Sequence, residues 1–336
     1  MSALYWWVIA LAVSFALSVV LGPIVIKAAA RLKAGQPILH YVEEHSAKAG
    51  TPTMGGWIFI LPCAVTALAF GKGWGFARVA AIATLAYAVI GFLDDLLKIK
   101  RHDNQGLRPY QKIISQLGIA AVLCWYAWRN PTISTLVFVP FWGTVDVGYW
   151  IFPLVAFVYI AGTNAVNLTD GLDGLAANTT AVYMAGASVM LGILAAFTPA
   201  MADLLGDLNV FCASVLGGLL GFLLFNTSPA KVFMGDTGSM ALGGAVCCVA
   251  VFSRLTFYLP LLGIMYVVSC ITVIVQVGYF KLSHGKRVFL MAPLHHHLQR
   301  KGMSEAKVCA LYVALTCLAA AVAVAGVYLG VNGMAK

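Results

Sequence analysis

Long apolar runs separated by short polar segments dominate this chain of 336 residues. An apolar run of about 20 residues is long enough to cross the hydrocarbon core of a bilayer as one helix. The pattern therefore predicts an all-α polytopic membrane protein with about ten transmembrane helices in one bundle, forming a single domain over residues 1–336. The predicted spans are 4–26, 55–70, 76–97, 112–128, 148–166, 175–197, 208–225, 239–252, 259–282 and 308–329.

Three segments depart from the simple pattern of long apolar helices. The second and eighth runs are short, and Pro62 in one and Gly243 and Gly244 in the other predict distorted helices. Residues 135–149 alternate in part between apolar and polar side chains, with Gly143 and Thr144 near the middle. This segment predicts a small β-hairpin in the loop after the fourth helix.

Composition supports the membrane assignment and excludes other classes. The chain is 61% hydrophobic and only 10% charged, whereas soluble domains carry roughly 25% charged residues. This excludes an ordinary soluble enzyme, and a chain so apolar is neither disordered nor a small disulfide scaffold. The eight Cys all lie in predicted spans without CxxC spacing, which is typical of packing residues.

The charged residues predict an orientation in the membrane. Most of the 21 Lys and Arg lie at or beside the loops that follow odd-numbered spans. Because basic residues concentrate in cytoplasmic loops, these loops should face the cytoplasm and both termini the periplasm. The net charge of +9 then reflects topology and attraction to anionic lipid or substrate, so no nucleic-acid partner is expected.

The same cytoplasmic side carries all seven His and most of the 12 Asp and Glu. The rule for Lys and Arg does not require this, so the cluster indicates a reaction site at the membrane surface. A sugar-nucleotide or lipid transporter that uses the same carboxylates for ion coupling is the alternative from another class. It would place its ionisable residues near the midplane, where Gln276 is among the few strongly polar residues.

Asp94 and Asp95 end the third predicted span. Neighbouring side chains on a helix point about 100° apart. The pair should therefore divide its roles, for example with one carboxylate facing a metal or phosphate and the other a basic side chain. A merely solvated helix end is the alternative.

Polar residues at Asn164, Asn167, Asp170 and Asp173 recur every three positions across the end of the fifth span. Amides and carboxylates in this order suit a nucleobase, a ribose or hydrated Mg²⁺. The alternative is that they serve only as helix-capping and turn residues.

Asp236 precedes the eighth span between glycines, where free backbone N–H groups attract phosphate. We favour a metal or phosphate role over a simple N-cap for Asp236.

His295, His296 and His297 lie in the last cytoplasmic loop, where neutral donors to a pyrophosphate or sugar are favoured over a zinc site. The segment 48–56 offers Lys48 and hydroxyl groups but lacks the order of a Walker P-loop.

Five motifs occur in the order TPTMGG, FLDDLLK, NAVNLTDGLDGLA, NTSPAKVFMGDTGS and APLHHH. Together they resemble the polyprenyl-phosphate N-acetylhexosamine-1-phosphate transferases, and TPTMGG and APLHHH are similar to the muramoyl-pentapeptide branch of that family. The resemblance implies transfer of phospho-N-acetylmuramoyl-pentapeptide from its UDP form to undecaprenyl phosphate, giving lipid I and UMP in peptidoglycan synthesis. It also implies a Mg²⁺ cofactor, the bacterial cytoplasmic membrane, an active site on the cytoplasmic face, and a homodimer. Transfer of N-acetylglucosamine-1-phosphate to the same lipid is the alternative within the family.

The resemblance also implies roles for individual residues. The catalytic residues would be Asp94, Asp95, Asp236 and His295, with Asp236 as the metal ligand. Substrate contacts would come from Lys48, Thr53, Lys112, Asn164, Asn167, Asp170, Gly171, Asp173, Phe233, His296 and His297. Whether Asp95 is a covalent nucleophile or an acid–base group stays open. We expect direct attack by the lipid phosphate, which is already anionic.

Overall fold

The computed structural model describes residues 3–32, 50–101, 105–140 and 142–334, and most of them are helical. The helices follow the apolar runs, and one further short helix lies in the last polar loop. In chain order they are α1 (Ala3–Arg31), α2 (Trp57–Phe70), α3 (Phe76–Arg101), α4 (Pro109–Arg129), α5 (Ile151–Thr169), α6 (Leu175–Phe197), α7 (Ala202–Asn226), α8 (Gly235–Phe252), α9 (Leu259–Leu262), α10 (Ile264–Leu282), α11 (Leu294–Arg300) and α12 (Glu305–Met334).

Eight helices within the described ranges are long and apolar enough to span a membrane. They are α1, α3, α5, α6, α7, α8, α10 and α12, while α2 is a shorter apolar helix. A helix, α4, also covers the fourth predicted span. The prediction of an all-α polytopic membrane protein is thus confirmed, whereas the count of ten spans stays a prediction.

The ninth predicted span, 259–282, is not one helix. It divides at Gly263 into the single turn α9 and the long helix α10. A Cβ at Gly263 would lie 2.8 Å from the Tyr266 ring and 2.9 Å from the Leu259 carbonyl oxygen. The break therefore depends on the absence of a side chain, which an apolar count does not register.

Both α2 and α8 run without interruption through Pro62 and through Gly243 and Gly244, so the expected distortion does not break either helix and stays a prediction. The two glycines instead allow close packing in the centre of the bundle. A Cβ at Gly243 would lie 2.5 Å from Thr163 Cα on α5, and one at Gly244 would lie 2.5 Å from the Tyr87 ring on α3. Buried along its length, α8 forms the centre of the bundle.

The predicted hairpin is present after α4. Its strands, β1 (Leu136–Val139) and β2 (Gly143–Asp146), are antiparallel and pair Val139 with Gly143. Gly143 therefore begins the second strand, and the turn precedes it. Trp142 beside this turn is 84% exposed.

Candidate active site

The site forms where the last turns of α3 meet the first turn of α8. Gly91 makes this approach feasible, because a Cβ there would overlap the Asp236 carbonyl oxygen. Gly235 begins α8 with φ +73°, a left-handed conformation that glycine adopts without strain. A Cβ at Gly235 would also lie 2.6 Å from Asp95 Oδ2. Two glycines thus bring the Asp94–Asp95 pair against Asp236.

Asp95 caps the N-terminus of α8. Its Oδ1 accepts a hydrogen bond from the Asp236 amide at 3.1 Å. Its Oδ2 accepts from the Thr237 amide at 2.9 Å and from the Thr237 hydroxyl at 2.7 Å. The carboxylate is 1% exposed, and its charge faces the positive end of the α8 dipole. Asp95 therefore fixes the first turn of α8, on which Asp236 lies.

Asp94 points to a different set of partners, as the angle between neighbouring helix positions predicts. Its Oδ2 lies 2.7 Å from Lys98 Nζ, and its Oδ1 accepts from the Leu107 amide at 2.8 Å. Lys98 and Lys112 both reach Asp236 Oδ2, at 2.9 and 2.8 Å. Two ammonium groups thus join Asp94 to Asp236. We call Asp94, Asp95, Lys98, Lys112 and Asp236 the acid–lysine cluster.

Amides from α5 border this cluster. Asn167 Nδ2 donates to Asp236 Oδ1 at 2.7 Å and to Ser239 Oγ at 2.8 Å. One turn earlier, Asn164 Nδ2 donates to the buried Gln116 at 3.0 Å. Asn167 therefore orients the oxygen of Asp236 that the two lysines leave free.

The cluster suits a hard divalent cation. Asp94, Asp95 and Asp236 each offer a carboxylate oxygen, and these atoms lie within 4.8 Å of one another. Oxygen ligands of this kind are those that Mg²⁺ prefers. No histidine belongs to this group, which is the one potential metal-ligating cluster in the described ranges. The donor chemistry fits the expected cofactor and does not indicate zinc.

A cavity of about 360 Å³ opens beside the cluster. Asp94, Lys98, Lys112 and Asn164 form its polar end. Its remaining lining is apolar apart from Gly106 and consists of Leu107, Pro109, Ile113 and Ile160. A charged group attached to a hydrocarbon would match both parts.

The predicted nucleotide residues after α5 meet the histidine helix α11. A Cβ at Gly171 would overlap the ring of His295, which is fully buried. Asp173 Oδ2 accepts from the Ala230 amide at 3.0 Å and so holds the segment that leads to Asp236. Asp170 directly follows α5, and the pKa of its carboxyl is raised to about 8 by burial and then by the charges of Asp236, Asp95 and Asp173. Gly171 and these acids thus link the acid–lysine cluster to His295.

The other predicted contacts lie around this core. His296 Nδ1 is 3.0 Å from Gln299 Oε1, and His297 Nδ1 accepts a hydrogen bond from the Leu290 amide at 3.1 Å.

Thr53, before α2, is 2% exposed, and its hydroxyl lies 2.7 Å from where a Cβ on Gly235 would be. Phe233 pairs its backbone with Pro52 and Gly55. Lys48 lies outside the described residues, as do His40, His45 and His102.

Lys98 and Thr237 are the members of the site that the residue assignments missed. Lys98 lies four residues after Asp94 on the same helix face, a spacing that favours an ion pair. That signal was available in FLDDLLK. Thr237 follows Asp236 directly, but its link to Asp95 depends on how α3 meets α8, which the sequence does not specify.

Asp170→Asn is expected to raise the midpoint of thermal unfolding, most strongly above pH 8. The folded pKa of about 8 exceeds the ordinary value of 3.8. Folding therefore takes up a proton between these values, and wild-type stability falls as the pH rises through this window. An Asn side chain does not titrate, so its advantage should shrink as the pH is lowered towards 4. Differential scanning fluorimetry in detergent with EDTA measures both proteins.

The matched control is Asp203→Asn, whose side chain is 95% exposed. It removes one carboxylate from the surface and should leave the unfolding midpoint close to that of the wild type. An Asp170→Asn protein whose midpoint follows that of the wild type at every pH would contradict the raised pKa of this carboxyl.

Comparison with known proteins defines the class and then the family. The glycosyl transferase family 4 model matches residues 77–254, which include the whole acid–lysine cluster and so define a membrane glycosyl transferase. A phospho-N-acetylmuramoyl-pentapeptide-transferase signature matches residues 48–60. Proteins named phospho-N-acetylmuramoyl-pentapeptide-transferase are similar over nearly the whole chain. That of Clostridium perfringens strain 13 is 43% identical, covering 92% of this chain and 95% of that protein. That of Clostridium novyi strain NT is 41% identical, with coverages of 91% and 92%.

The chain belongs to the phospho-N-acetylmuramoyl-pentapeptide-transferase family. The family assignment from the five motifs is therefore confirmed. It makes the chain a phospho-sugar transferase embedded in a membrane by apolar helices.

Proposed function

We propose that the chain transfers phospho-N-acetylmuramoyl-pentapeptide from its UDP-activated form to undecaprenyl phosphate, releasing UMP and forming lipid I for peptidoglycan synthesis. The observation that carries this proposal is the acid–lysine cluster beside a cavity with a charged end and an apolar end. The names and coverage of the relatives support the substrate class.

The reaction needs positioning and charge neutralisation more than covalent chemistry. We propose Asp236 as the main Mg²⁺ ligand, with Asp94 and Asp95 beside it. Mg²⁺, when bound, would neutralise charge on the pyrophosphate. Lys98 and Lys112 lie within 3 Å of Asp236 and supply further positive charge for phosphate oxygens.

Direct attack by the lipid phosphate is the mechanism we propose. An oxygen of undecaprenyl phosphate forms a bond to the sugar-linked phosphorus, and the bond from that phosphorus to the oxygen of UMP breaks. Asp95 is a poor alternative nucleophile, because it is 1% exposed and accepts three hydrogen bonds from α8. Trapping a phospho-sugar adduct on an Asp in the absence of lipid acceptor would overturn direct attack.

The acceptor reaches the cluster through the cavity beside α4 and α5. Lys98 and Lys112 at its polar end attract the lipid phosphate. Ile113 and Ile160 on its apolar side contact the adjoining prenyl units. Such a path would bring the nucleophile to the cluster from the membrane and leave the side of His295 for the soluble donor.

The decisive test is an assay of the purified protein with undecaprenyl phosphate and either UDP-N-acetylmuramoyl-pentapeptide or UDP-N-acetylglucosamine. We expect UMP release and lipid I formation with the pentapeptide donor only. Preference for UDP-N-acetylglucosamine would establish the alternative within the family instead.

The transporter alternative would need strongly polar or ionisable side chains that are free to bind a coupling ion inside the bundle. Gln276 uses its side-chain amide to bind the backbone at Val288 and Phe289. The buried Asp207 accepts from the Lys72 and Ala77 amides at the start of α3, at the other end of that helix from Asp94. Both groups have structural partners, which favours the enzyme.

We propose ten spans, with both termini in the periplasm of a bacterial cytoplasmic membrane and the acid–lysine cluster at its cytoplasmic face. A single domain is supported by one hydrophobic cluster that draws residues from α2 to α12. The homodimer stays a prediction, which the mass of the purified protein in detergent would test.

Cysteine labelling tests the orientation. In a Cys317→Ser background, which removes an exposed thiol, Trp142→Cys on the hairpin should react with an impermeant maleimide added to intact cells. Lys286→Cys, in the exposed segment after α10, should react only after permeabilisation. Labelling of Lys286→Cys alone in intact cells would show that the orientation in the membrane is opposite to the one proposed.

A further inference from the structure

A second cavity, of about 340 Å³, lies between α10 and the segment that leads to α11. It shares no lining residue with the cavity at the acid–lysine cluster. Its apolar lining comes from Val273, Val277 and Phe280 on α10 and from Met291 and Ala292 opposite. Three basic residues, Lys281, Arg287 and Arg300, complete it together with Gln276, and no acidic residue lines it.

The wall opposite α10 is held in place by side chains. Gln276 Oε1 accepts from the Val288 and Phe289 amides at 3.1 and 2.9 Å, and its Nε2 donates to the Phe289 carbonyl at 3.1 Å. Thr272 Oγ1 accepts from the Leu294 amide at 3.2 Å. A side-chain amide inside an apolar helix thus holds the backbone of Val288 and Phe289 against α10. These hydrogen bonds therefore fix the shape of the cavity.

The surroundings of the cavity are those of a membrane interface. α10 is a candidate span, and Ile274, Val277 and Phe280 on it are exposed. The span ends at Leu282, beside Lys281, where apolar surface gives way to basic residues. A ligand that matches the cavity combines an anionic head with an alkyl chain.

We propose that this cavity binds an anionic phospholipid of the surrounding bilayer. The phosphate contacts Lys281 and Arg287, and an acyl chain follows Val273 and Val277. Charge complementarity carries this choice over a neutral lipid, because a juxtamembrane cation attracts anionic lipid. Met291 and Ala292 directly precede α11, so the bound lipid contacts the segment that positions His295.

The test uses the full chain in nanodiscs of neutral phosphatidylcholine doped with a phosphatidylglycerol that carries a diazirine on its acyl chain. Photolysis followed by peptide mass spectrometry should find adducts on residues 273–280 or on Met291. Lys281→Gln should lower the adduct yield about fivefold, and Lys281→Gln with Arg287→Gln about twentyfold. Arg31→Gln, at the exposed end of α1, removes the same charge elsewhere and should leave the yield unchanged.

Competition identifies the source of the phosphate. Unlabelled phosphatidylglycerol should reduce labelling, whereas phosphatidylcholine and inorganic phosphate should not. An unchanged yield in Lys281→Gln and the double variant would overturn the proposal, and so would stronger competition by undecaprenyl phosphate than by phosphatidylglycerol. UMP release in detergent should persist in Lys281→Gln, so a failure here is distinguishable from a failure of the proposed transferase reaction.

Discussion

Replacing Asp236 by Asn is expected to abolish UMP release, with a loss of about 1,000-fold or more. Asp236 accepts from Lys98 and Lys112 on one oxygen and from Asn167 on the other. An amide carries no charge for Mg²⁺ and cannot accept hydrogen bonds at both terminal atoms. The measurement is UMP release from UDP-N-acetylmuramoyl-pentapeptide across a Mg²⁺ titration.

The bundle itself should survive this change, because Asp95 holds the first turn of α8 through backbone amides that the substitution leaves in place. Thermal unfolding of the variant in detergent should confirm a folded protein. Asp203→Asn, at an exposed position of α7, is the matched control and should retain full activity. Normal turnover by Asp236→Asn at low Mg²⁺ would remove the metal-ligand assignment.

Gly91→Ala is expected to lower activity by about 100-fold, although residue 91 contacts no substrate in the proposed reaction. The added methyl group would overlap the Asp236 carbonyl oxygen, so α3 and α8 must move apart. A displacement of about 1 Å in a catalytic group costs about 100-fold in rate. The strain should also lower the free energy of unfolding by about 1 to 3 kcal/mol.

Gly118→Ala provides the matched control within the same bundle. Gly118 also lies inside an apolar helix, α4, but a Cβ there meets no atom within 4 Å. Its substitution should leave UMP release and the unfolding midpoint close to those of the wild type. Equal losses in both variants would show that the effect of Gly91→Ala is a general response to alanine and not a loss of the α3–α8 contact.

The sequence predicts the separate segments of the site better than the contacts between those segments. Helical periodicity correctly separates Asp94 from Asp95, and the glycines around Asp236 correctly indicate the start of a helix. The sequence does not reveal that Asp95 caps α8, because 141 positions separate Asp95 from Asp236. Such a contact depends on the packing of two helices, and the apolar pattern indicates only that both are buried.

The last polar segment shows a different limit of the sequence pattern. Apolar counting predicts one span over 259–282 and a loop after it, but the chain breaks at Gly263 and forms α11 around the histidines. Gln276 reads as an isolated polar residue in a span, although it pairs with a backbone segment that follows 12 positions later. Hydrogen bonding of one side chain to a later backbone segment leaves no periodic signal.

The acid–lysine cluster draws its members from α3, α4 and α8, and Asn167 joins it from α5. During synthesis on the ribosome, the carboxylates of α3 emerge more than a hundred residues before their partners on α8. Until α8 enters the membrane, Asp95 has no helix end to cap and Lys98 lacks one of its two acids. The order of translation therefore delays formation of the proposed catalytic centre until most of the bundle has been inserted, and on this proposal incomplete chains cannot consume the nucleotide sugar.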